Sequence, residues 1–365
     1  TPLETRLLLP HTPVTFPEFE KLQTSPMTWL ITGVAGFIGS NLLESLLALD
    51  QTVVGLDNLA TGSRRNFDEV RQWVSPSQWA RFRFVEGDIR DLETCRRTCD
   101  SSQPDVVLHQ AALGSVPRSI RDPLSVHSVN VTGFLNMLVA TRDTNNSRFV
   151  YASSSSVYGD HPALPKVEDV TGRPMSPYGA SKQTDELYAA VFSRCYGLQT
   201  VGLRYFNVFG RRQNPEGPYA AVIPRWVSAM LREEPVEIFG DGETSRDFCY
   251  VANVVQANIL AGLVEDPEAI GKVYNIAVGA RTSLNDLFGL IRDKLADSRK
   301  MGACDAPVYR EFRSGDMRHS HASIERATKW LGYRPSHTIV QGLDESLEWY
   351  VQNLSDETNR TENHT

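Results

Sequence analysis

Cysteine is scarce in this chain. The five present, Cys95, Cys99, Cys195, Cys249 and Cys304, are an odd number among 365 residues and include no Cys-x-x-Cys pair. That excludes a disulfide framework, and with the histidines unclustered it excludes a metal site of ordinary zinc spacing. Cys95 and Cys99, four apart, read as small core-facing residues of one helix. A reduced, cytoplasmic protein is the expectation. Positive charge is in deficit as well: 37 Lys and Arg against 44 Asp and Glu leave a net charge of -7, which speaks against nucleic acid or an anionic membrane as a partner. No run reaches the roughly 18 to 20 apolar residues of a membrane span. The first residues show no secretory pattern of basic start and apolar stretch.

What is present suits a large globular core, with 41% hydrophobic and 22% charged residues. At roughly 150 residues per domain the length allows two domains. From Trp29 onward short apolar runs alternate with longer amphipathic stretches, the pattern of βα units feeding a parallel sheet. The runs predict strands at about 29–33, 52–57, 82–87, 105–109, 147–152, 200–205 and 273–276. Ser40 to Leu49 carries leucines spaced for one buried helix face. The expected fold is α/β: a doubly wound, Rossmann parallel sheet over 27–204, completed by the late strand at 273–276, with a smaller interleaved substrate-binding lobe mainly in 205–353. Residues 1–26, rich in proline, read as an arm with at most a short helix at 18–23, and 354–365 as a polar tail that frays.

Trp29 to Thr32 lead into Gly33-Val34-Ala35-Gly36-Phe37-Ile38-Gly39 and a leucine-rich helix, so the glycines fall at a strand-to-helix turn. Gly33 permits the tight turn, Gly36 lets the backbone reach a pyrophosphate, and Gly39 lets the helix lie close on the strand. The first amides of the helix, at Phe37 and Ile38, then face the phosphate charge. The second strand ends 18 residues past Gly39 in Asp57, followed by Asn58. A carboxylate there accepts hydrogen bonds from an adenosine ribose and repels a 2′-phosphate, which predicts NAD over NADP. Arg64 and Arg65 are the feature that points the other way. Asp88-Ile89, ending the third strand, is placed for the adenine.

Tyr178-Gly179-Ala180-Ser181-Lys182 sets a phenol and an ammonium on one helix face, at i and i+4. A phenol, with a reference pKa of about 10, is a poor base unless a neighbouring cation favours its ionised form. Alone, this spacing is more often a surface pair. Upstream, however, Ser153 to Ser156 and Tyr158-Gly159 follow the fifth strand, where hydroxyls project at the sheet's carboxyl edge, and Asn130 lies between them and the glycines.

Gly33-x-x-Gly36-x-x-Gly39, His109-Gln110-Ala111-Ala112, Asn130, Ser154 through Tyr158-Gly159 and Tyr178-x-x-x-Lys182 together resemble the extended short-chain dehydrogenase/reductase family, over about residues 27–350. The runs Arg204 to Gly210 and Gly240 to Phe248 resemble its NAD-dependent nucleotide-sugar epimerase branch. The resemblance implies NAD held also by Ala111, Ala112, Asn130, Tyr178 and Lys182, and catalysis by Tyr178, Lys182 and Ser154. It implies a UDP-sugar whose diphosphate is held by Asn207, Arg246 and Arg313, with Asp316 near the ribose and Ala221, Val222 and Ile223 near the uracil. Guanidinium groups suit phosphate oxygens through charge-assisted bonds. Arg211 and Arg212 read instead as salt-bridge partners. The resemblance also implies a homodimer packed through the helix of Tyr178, with Leu187, Tyr188, Val191 and Phe192 as a candidate apolar stripe.

Members of this branch that eliminate water carry an Asp-Glu pair directly after the strand-end hydroxyl residue, where this chain has Ser155 and Ser156. Serine cannot act as the general acid that expels a hydroxyl, which leaves oxidation at C4 and return of the hydride to the other face. In members restricted to plain hexoses a tyrosine closes the sugar pocket seven residues after the phosphate-binding arginine. Counted from Arg313, that position is Ser320. With Gly114, Ser115 and Gln213 also near the sugar, the resemblance implies room for an N-acetyl group. It is similar in this to bacterial UDP-N-acetylglucosamine 4-epimerases of surface-polysaccharide (O-antigen and capsule) synthesis. A uronic acid with Arg118 as carboxylate partner, and plain UDP-glucose, stay open as alternatives.

Overall fold

The structure, a computed structural model, describes Phe19, Leu22 and residues 24–144, 147–214, 220–297, 306–312 and 318–362, the last nine as backbone. Seven strands form one parallel sheet: β1 (Thr28–Thr32), β2 (Thr52–Asp57), β3 (Phe82–Glu86), β4 (Val106–His109), β5 (Arg148–Ser154), β6 (Gln199–Tyr205) and β7 (Lys272–Ile276). Their order is β7-β6-β5-β4-β1-β2-β3. The helices that concern the site are α1 (Phe37–Ala48), α2 (Arg64–Trp73), α3 (Leu92–Ser102), α4 (Phe134–Arg142), α5 (Pro177–Tyr196), α6 (Val222–Leu231), α7 (Val251–Leu263), α8 (Leu284–Asp297), α9 (Glu325–Leu331) and α10 (Ile339–Glu362).

Both faces of the sheet are covered, which is why its strands read as continuous apolar runs. Side chains alternate in direction along a strand. Trp29, Ile31, Val53 and Val106 pack with α1, α2, α7 and α9, while Leu30, Val54, Val107 and Phe149 pack with α3, α4 and α5. Phe19 and Leu22, from the stretch expected to be an arm, belong to the first of these cores, and Gln51 Nε2 donates to the Leu22 carbonyl at 2.8 Å. The remaining helices α6, α8 and α10 enclose a separate apolar core around Trp226, Phe288, Leu343 and Tyr350. Short strand pairs stiffen this lobe, Glu237–Phe239 with Val308–Arg310 and Ser245–Arg246 with Thr282–Ser283. The last helix continues to Glu362, through residues expected to fray.

Because every strand of the sheet runs the same way, the turns after β1 through β6 all open at one edge, and a crevice forms where the order reverses about β1. β5 extends two residues beyond its expected end. Ser153 and Ser154 pair in register with Arg204 and Tyr205, so neighbouring strands impose extension on residues of low strand propensity. Among the described residues no helix is long and apolar enough to cross a membrane.

Candidate active site

A cavity of about 700 Å³ follows that edge, from Asp57 and Asp88 at one side to Asn207 and Gln213 at the other. Its floor is the glycine turn. Gly33 has φ +70°, and a Cβ on Gly39 would lie 2.1 Å from the Gly33 carbonyl oxygen. Gly36 caps α1 without a side chain, so the first turn of that helix stands at the cavity wall. Its unpaired amides and positive dipole end suit a diphosphate. At the end of β2, Asp57 accepts the Ala35 amide at Oδ2 (2.9 Å) and the Leu59 amide at Oδ1 (2.8 Å). Burial raises its pKa, and those amides oppose the rise. Each oxygen keeps a lone pair for a ribose hydroxyl.

Asn58 Nδ2 donates to Asp88 at 2.8 Å, and Arg90 grips Asp88 through Nε at 3.0 Å and Nη2 at 2.7 Å. The hydrogen bonds from Arg90 carry the Asp88 pKa down to about 2. Arg90 lines the cavity, and the sequence reading missed it, since a lone arginine in a turn carries no pattern. Arg64 is ion-paired with Glu86 and stands 5.2 Å over the Phe84 ring, off this wall, as is Arg65. The feature that favoured a 2′-phosphate thus faces elsewhere.

On the other side of β1, the wall carries Ala111, Ala112, Gly114, Ser154, Ser155, Ser156, Tyr178 and Lys182. Ser176 starts α5, its Oγ accepting the Gly179 amide at 3.1 Å with Pro177 at the first helical position. Tyr178 is half-buried, whereas Lys182 lies one turn deeper and is buried. Burial works to lower the Lys182 pKa, but the Asp185 carboxylate and Tyr178 beside it outweigh this and raise it. Ser154 Oγ accepts the Ser156 amide at 3.1 Å and meets Ser156 Oγ at 3.2 Å. His109 stays neutral: burial, helped by the charge of Lys182, takes its pKa to about 3, and its Nδ1 pairs with Thr32 Oγ1 at 2.9 Å.

Several expected residues stand back from the wall. Asn130 is buried between Leu113 and Ser181. Ser115 Oγ caps the helix Val116–Arg121 by accepting the Arg118 amide at 3.2 Å. Ile223 packs inside the lobe core rather than against a ligand, since the apolar face of α6 turns inward. Ala221 and Val222, at the start of α6, do not line the cavity. Arg246 Nη1 donates to the Ser245 carbonyl at 3.0 Å, and Ser320 is buried with its amide on that same oxygen at 3.0 Å. Gln213 does reach the wall, with Nε2 on the Val208 carbonyl at 3.0 Å. Arg211 and Arg212 pair with Glu44, and Arg212 also with Glu69 at 3.2 Å. Phe192 is buried under the sheet and is not part of any outer stripe. Arg313 and Asp316 lie outside the described residues.

Three wall-building groups were not foreseen as a unit. Tyr205 OH donates to Gln110 Oε1 at 3.0 Å, Gln110 Nε2 to Asn258 Oδ1 at 3.0 Å, and Asn258 Nδ2 to Tyr205 OH at 2.8 Å. This closed ring ties α7 to the ends of β4 and β6. Its one signal in the sequence is Asn258, a polar residue amid an apolar helix.

A glycine cradle with an acidic residue after the second strand, and a phenol, an ammonium and a hydroxyl gathered beyond it, define a dinucleotide-dependent enzyme. The chain belongs to the NAD dependent epimerase/dehydratase family, which it matches over residues 29–277. It is 36% identical to a UDP-glucose 4-epimerase of Mycolicibacterium smegmatis, over 89% of this chain and 98% of that one. Among solved structures, a UDP-N-acetylglucosamine 4-epimerase from Methanobrevibacter ruminantium in complex with UDP-N-acetylmuramic acid is 35% identical, with a TM-score of 0.80 over 90% of this chain and 99% of that chain. A UDP-glucuronic acid 4-epimerase from Bacillus cereus, in complex with UDP-glucuronic acid and NAD, is 28% identical, with a TM-score of 0.78 over 90% and 100%. The protein is an enzyme of the NAD-dependent epimerase kind, and the cradle at Gly33, Gly36 and Gly39 with Asp57 fits that cofactor.

Proposed function

We propose that this enzyme is a nucleotide-sugar 4-epimerase that interconverts UDP-N-acetylglucosamine and UDP-N-acetylgalactosamine. One observation carries the reaction class: the carboxylates on the cavity wall are Asp57 and Asp88, both at the adenosine side. Directly after Ser154 the wall carries the hydroxyls of Ser155 and Ser156, and among the described residues no carboxyl group stands there to expel a hydroxyl from the sugar.

NAD, held by the cradle of Gly33, Gly36 and Gly39 with Asp57, would supply a reversible hydride acceptor for C4. Tyr178 takes the proton of the 4-hydroxyl, with Lys182 one turn along the same helix. Ser154, fixed by the Ser156 amide, orients O4. The 4-keto sugar turns over in the site, and Tyr178 returns the proton as the hydride arrives on the other face. Net redox change is zero. Asn207 lines the far wall, and the resemblance assigns it to the diphosphate together with Arg246 and Arg313, and Asp316 to the nucleotide ribose.

The N-acetyl substrate is supported by the open space at Gly114, where an added Cβ would meet nothing within 4 Å. The name of the Methanobrevibacter relative agrees with it, although other relatives carry glucose and glucuronate names. Proton NMR of the purified enzyme with UDP-N-acetylglucosamine, UDP-glucose and UDP-N-acetylglucosaminuronic acid in separate tubes, without added NAD, tests the reading. Conversion mainly of the first supports it. Preference for the uronic acid moves the assignment to that substrate, and exclusive use of UDP-glucose overturns the pocket-size argument.

The same proposal includes a homodimer. Leu187, Tyr188 and Val191 are exposed on α5, with Leu187 68% exposed, and Ile120 and Leu124, on the short helices that pack against α5, are 65% and 82% exposed. A sedimentation measurement showing a monomer at micromolar concentration removes this part alone.

A further inference from the structure

The steps above leave one buried ionisable group of α5 unused. Asp185 lies one turn beyond Lys182, is fully buried, and places Oδ2 3.1 Å from Lys182 Nζ. The side chains are 3% and 0% exposed, so the two charges meet in a place of low dielectric. Oδ1 of Asp185 is buried too and has no hydrogen-bond partner among the described residues. Lys182 is therefore the one hydrogen-bonded partner seen for this carboxylate, and a carboxylate so placed is costly unless the cation needs it.

We propose that Asp185 is a positioning residue for the reaction, the buried counter-ion that holds the Lys182 ammonium from below and sets how much of its charge reaches Tyr178. An ammonium has three donors. One spent on Asp185 fixes the direction of the other two, toward the cavity side of the helix where Tyr178 stands. The carboxylate also subtracts from the field of the cation at the phenol. Without it the phenol would ionise more readily, and the buried ammonium would give up its own proton more readily.

The charged and titratable groups facing the pair are Tyr178 and Glu186 from its own helix, His109 from β4, Tyr151 from β5, and Arg204 from β6, which is bound to Glu186. The short helices 116–121 and 123–127 against α5 carry Arg118, Arg121 and His127. Burial pushes the Asp185 carboxyl up, and the charge of Lys182 with its hydrogen bond pulls it back down.

This inference rests on Tyr178 as the base, and the test keeps the two apart. Turnover against pH is recorded for the NAD-loaded wild type, Asp185→Asn and Tyr178→Phe, together with the tyrosinate absorbance of each, which needs no turnover. Asp185→Asn is expected to move both limbs of the pH profile down by about one unit and to lower the titration of Tyr178 in the absorbance difference against Tyr178→Phe. Limbs and titration that superimpose on wild type, with only the melting temperature reduced, mean that Asp185 is structural and overturn the proposal. Tyr178→Phe with near-normal turnover overturns the base assignment instead. Should Asp185→Asn fail to fold, Asp185→Glu keeps the charge and displaces it by one methylene. It is expected to retain the wild-type limbs with a several-fold lower kcat, and an unchanged kcat overturns the proposal.

Discussion

Asn130 and Ser181 meet at 3.1 Å, Nδ2 to Oγ, and this contact joins the loop after β4 to the helix that carries Tyr178 and Lys182. Asn130 also binds both sides of the Leu113 peptide, accepting its amide at 2.8 Å and donating to its carbonyl at 3.3 Å. It sits in a widened turn, Ser128–Gly133, a local distortion often found beside functional sites. Because Asn130 stands behind the wall, its substitution acts through the Ala111–Leu113 loop. Asn130→Ala leaves buried partners unpaired and is expected to cost about 2–3 kcal/mol in denaturant unfolding. The purified variant is expected to hold less NAD than wild type; equal NAD content would show that the loop keeps its place without the bracket.

Gly39 and Gly114 give opposite expectations for one added methyl group. On Gly39 it would lie 2.1 Å from the Gly33 carbonyl oxygen and 2.8 Å from Val34 Cα, all backbone. On Gly114 it would meet nothing within 4 Å. Gly39→Ala is therefore expected to push α1 off β1, with a loss of at least about 1–3 kcal/mol and most of the bound NAD. Gly114→Ala is expected to keep both stability and NAD. Calorimetry and absorbance of released cofactor check the pair, and equal behaviour of the two variants would refute the close-approach argument.

The sheet was readable from the sequence because its strands are buried on both faces and therefore leave apolar runs, as at Trp29–Thr32 and Val106–His109. The cofactor cradle was readable because glycine spacing at a strand-to-helix turn has few other causes. Side chains of the lobe were harder. Ile223 is in the first turn of α6, whose apolar face packs into the lobe core, while Ser320 sits in irregular chain where no period tells which side faces a ligand. The apolar run of the fifth strand stops at Ala152, although Ser153 and Ser154 complete β5, since their pairing with β6 is a long-range effect. Asp185 lay in plain view between Lys182 and Glu186, but a carboxylate three positions from a lysine is ordinary on an exposed helix. Only burial makes it unusual.

Asp247 gives a pH dependence with a definite sign. It accepts the amides of Val278 at 2.9 Å and Gly279 at 3.1 Å, and burial raises its pKa from 3.8 to about 6. The folded protein thus holds this proton more tightly than the unfolded chain. The contribution of Asp247 to stability is largest below pH 3.8 and falls as pH rises through about 6. In Asp247→Asn that dependence is absent. The stability of wild type relative to the variant is expected to shrink by up to about 3 kcal/mol between about pH 4 and pH 7. Unfolding curves of both proteins across that range test it, and a difference that grows with pH would mean the amides outweigh burial.

Behind the active site, Arg204 and Glu186 form a two-pronged pair, Nε to Oε1 at 2.9 Å and Nη2 to Oε2 at 2.8 Å. Ser153 Oγ adds a third bond to the carboxylate at 2.5 Å, and the guanidinium lies 4.8 Å over the Tyr158 ring. The pair ties α5 to the sheet beneath the residues assigned to catalysis. Removing one member leaves the other charge buried, whereas removing both leaves a site that apolar atoms can fill. Glu186→Gln is therefore expected to cost about 3–5 kcal/mol. Arg204→Met in the same protein is expected to return part of that loss, giving a coupling of on the order of 2 kcal/mol in the cycle of four proteins. Additivity within about 0.5 kcal/mol would mean that the two side chains are held by their other contacts and that the pair itself does not anchor α5.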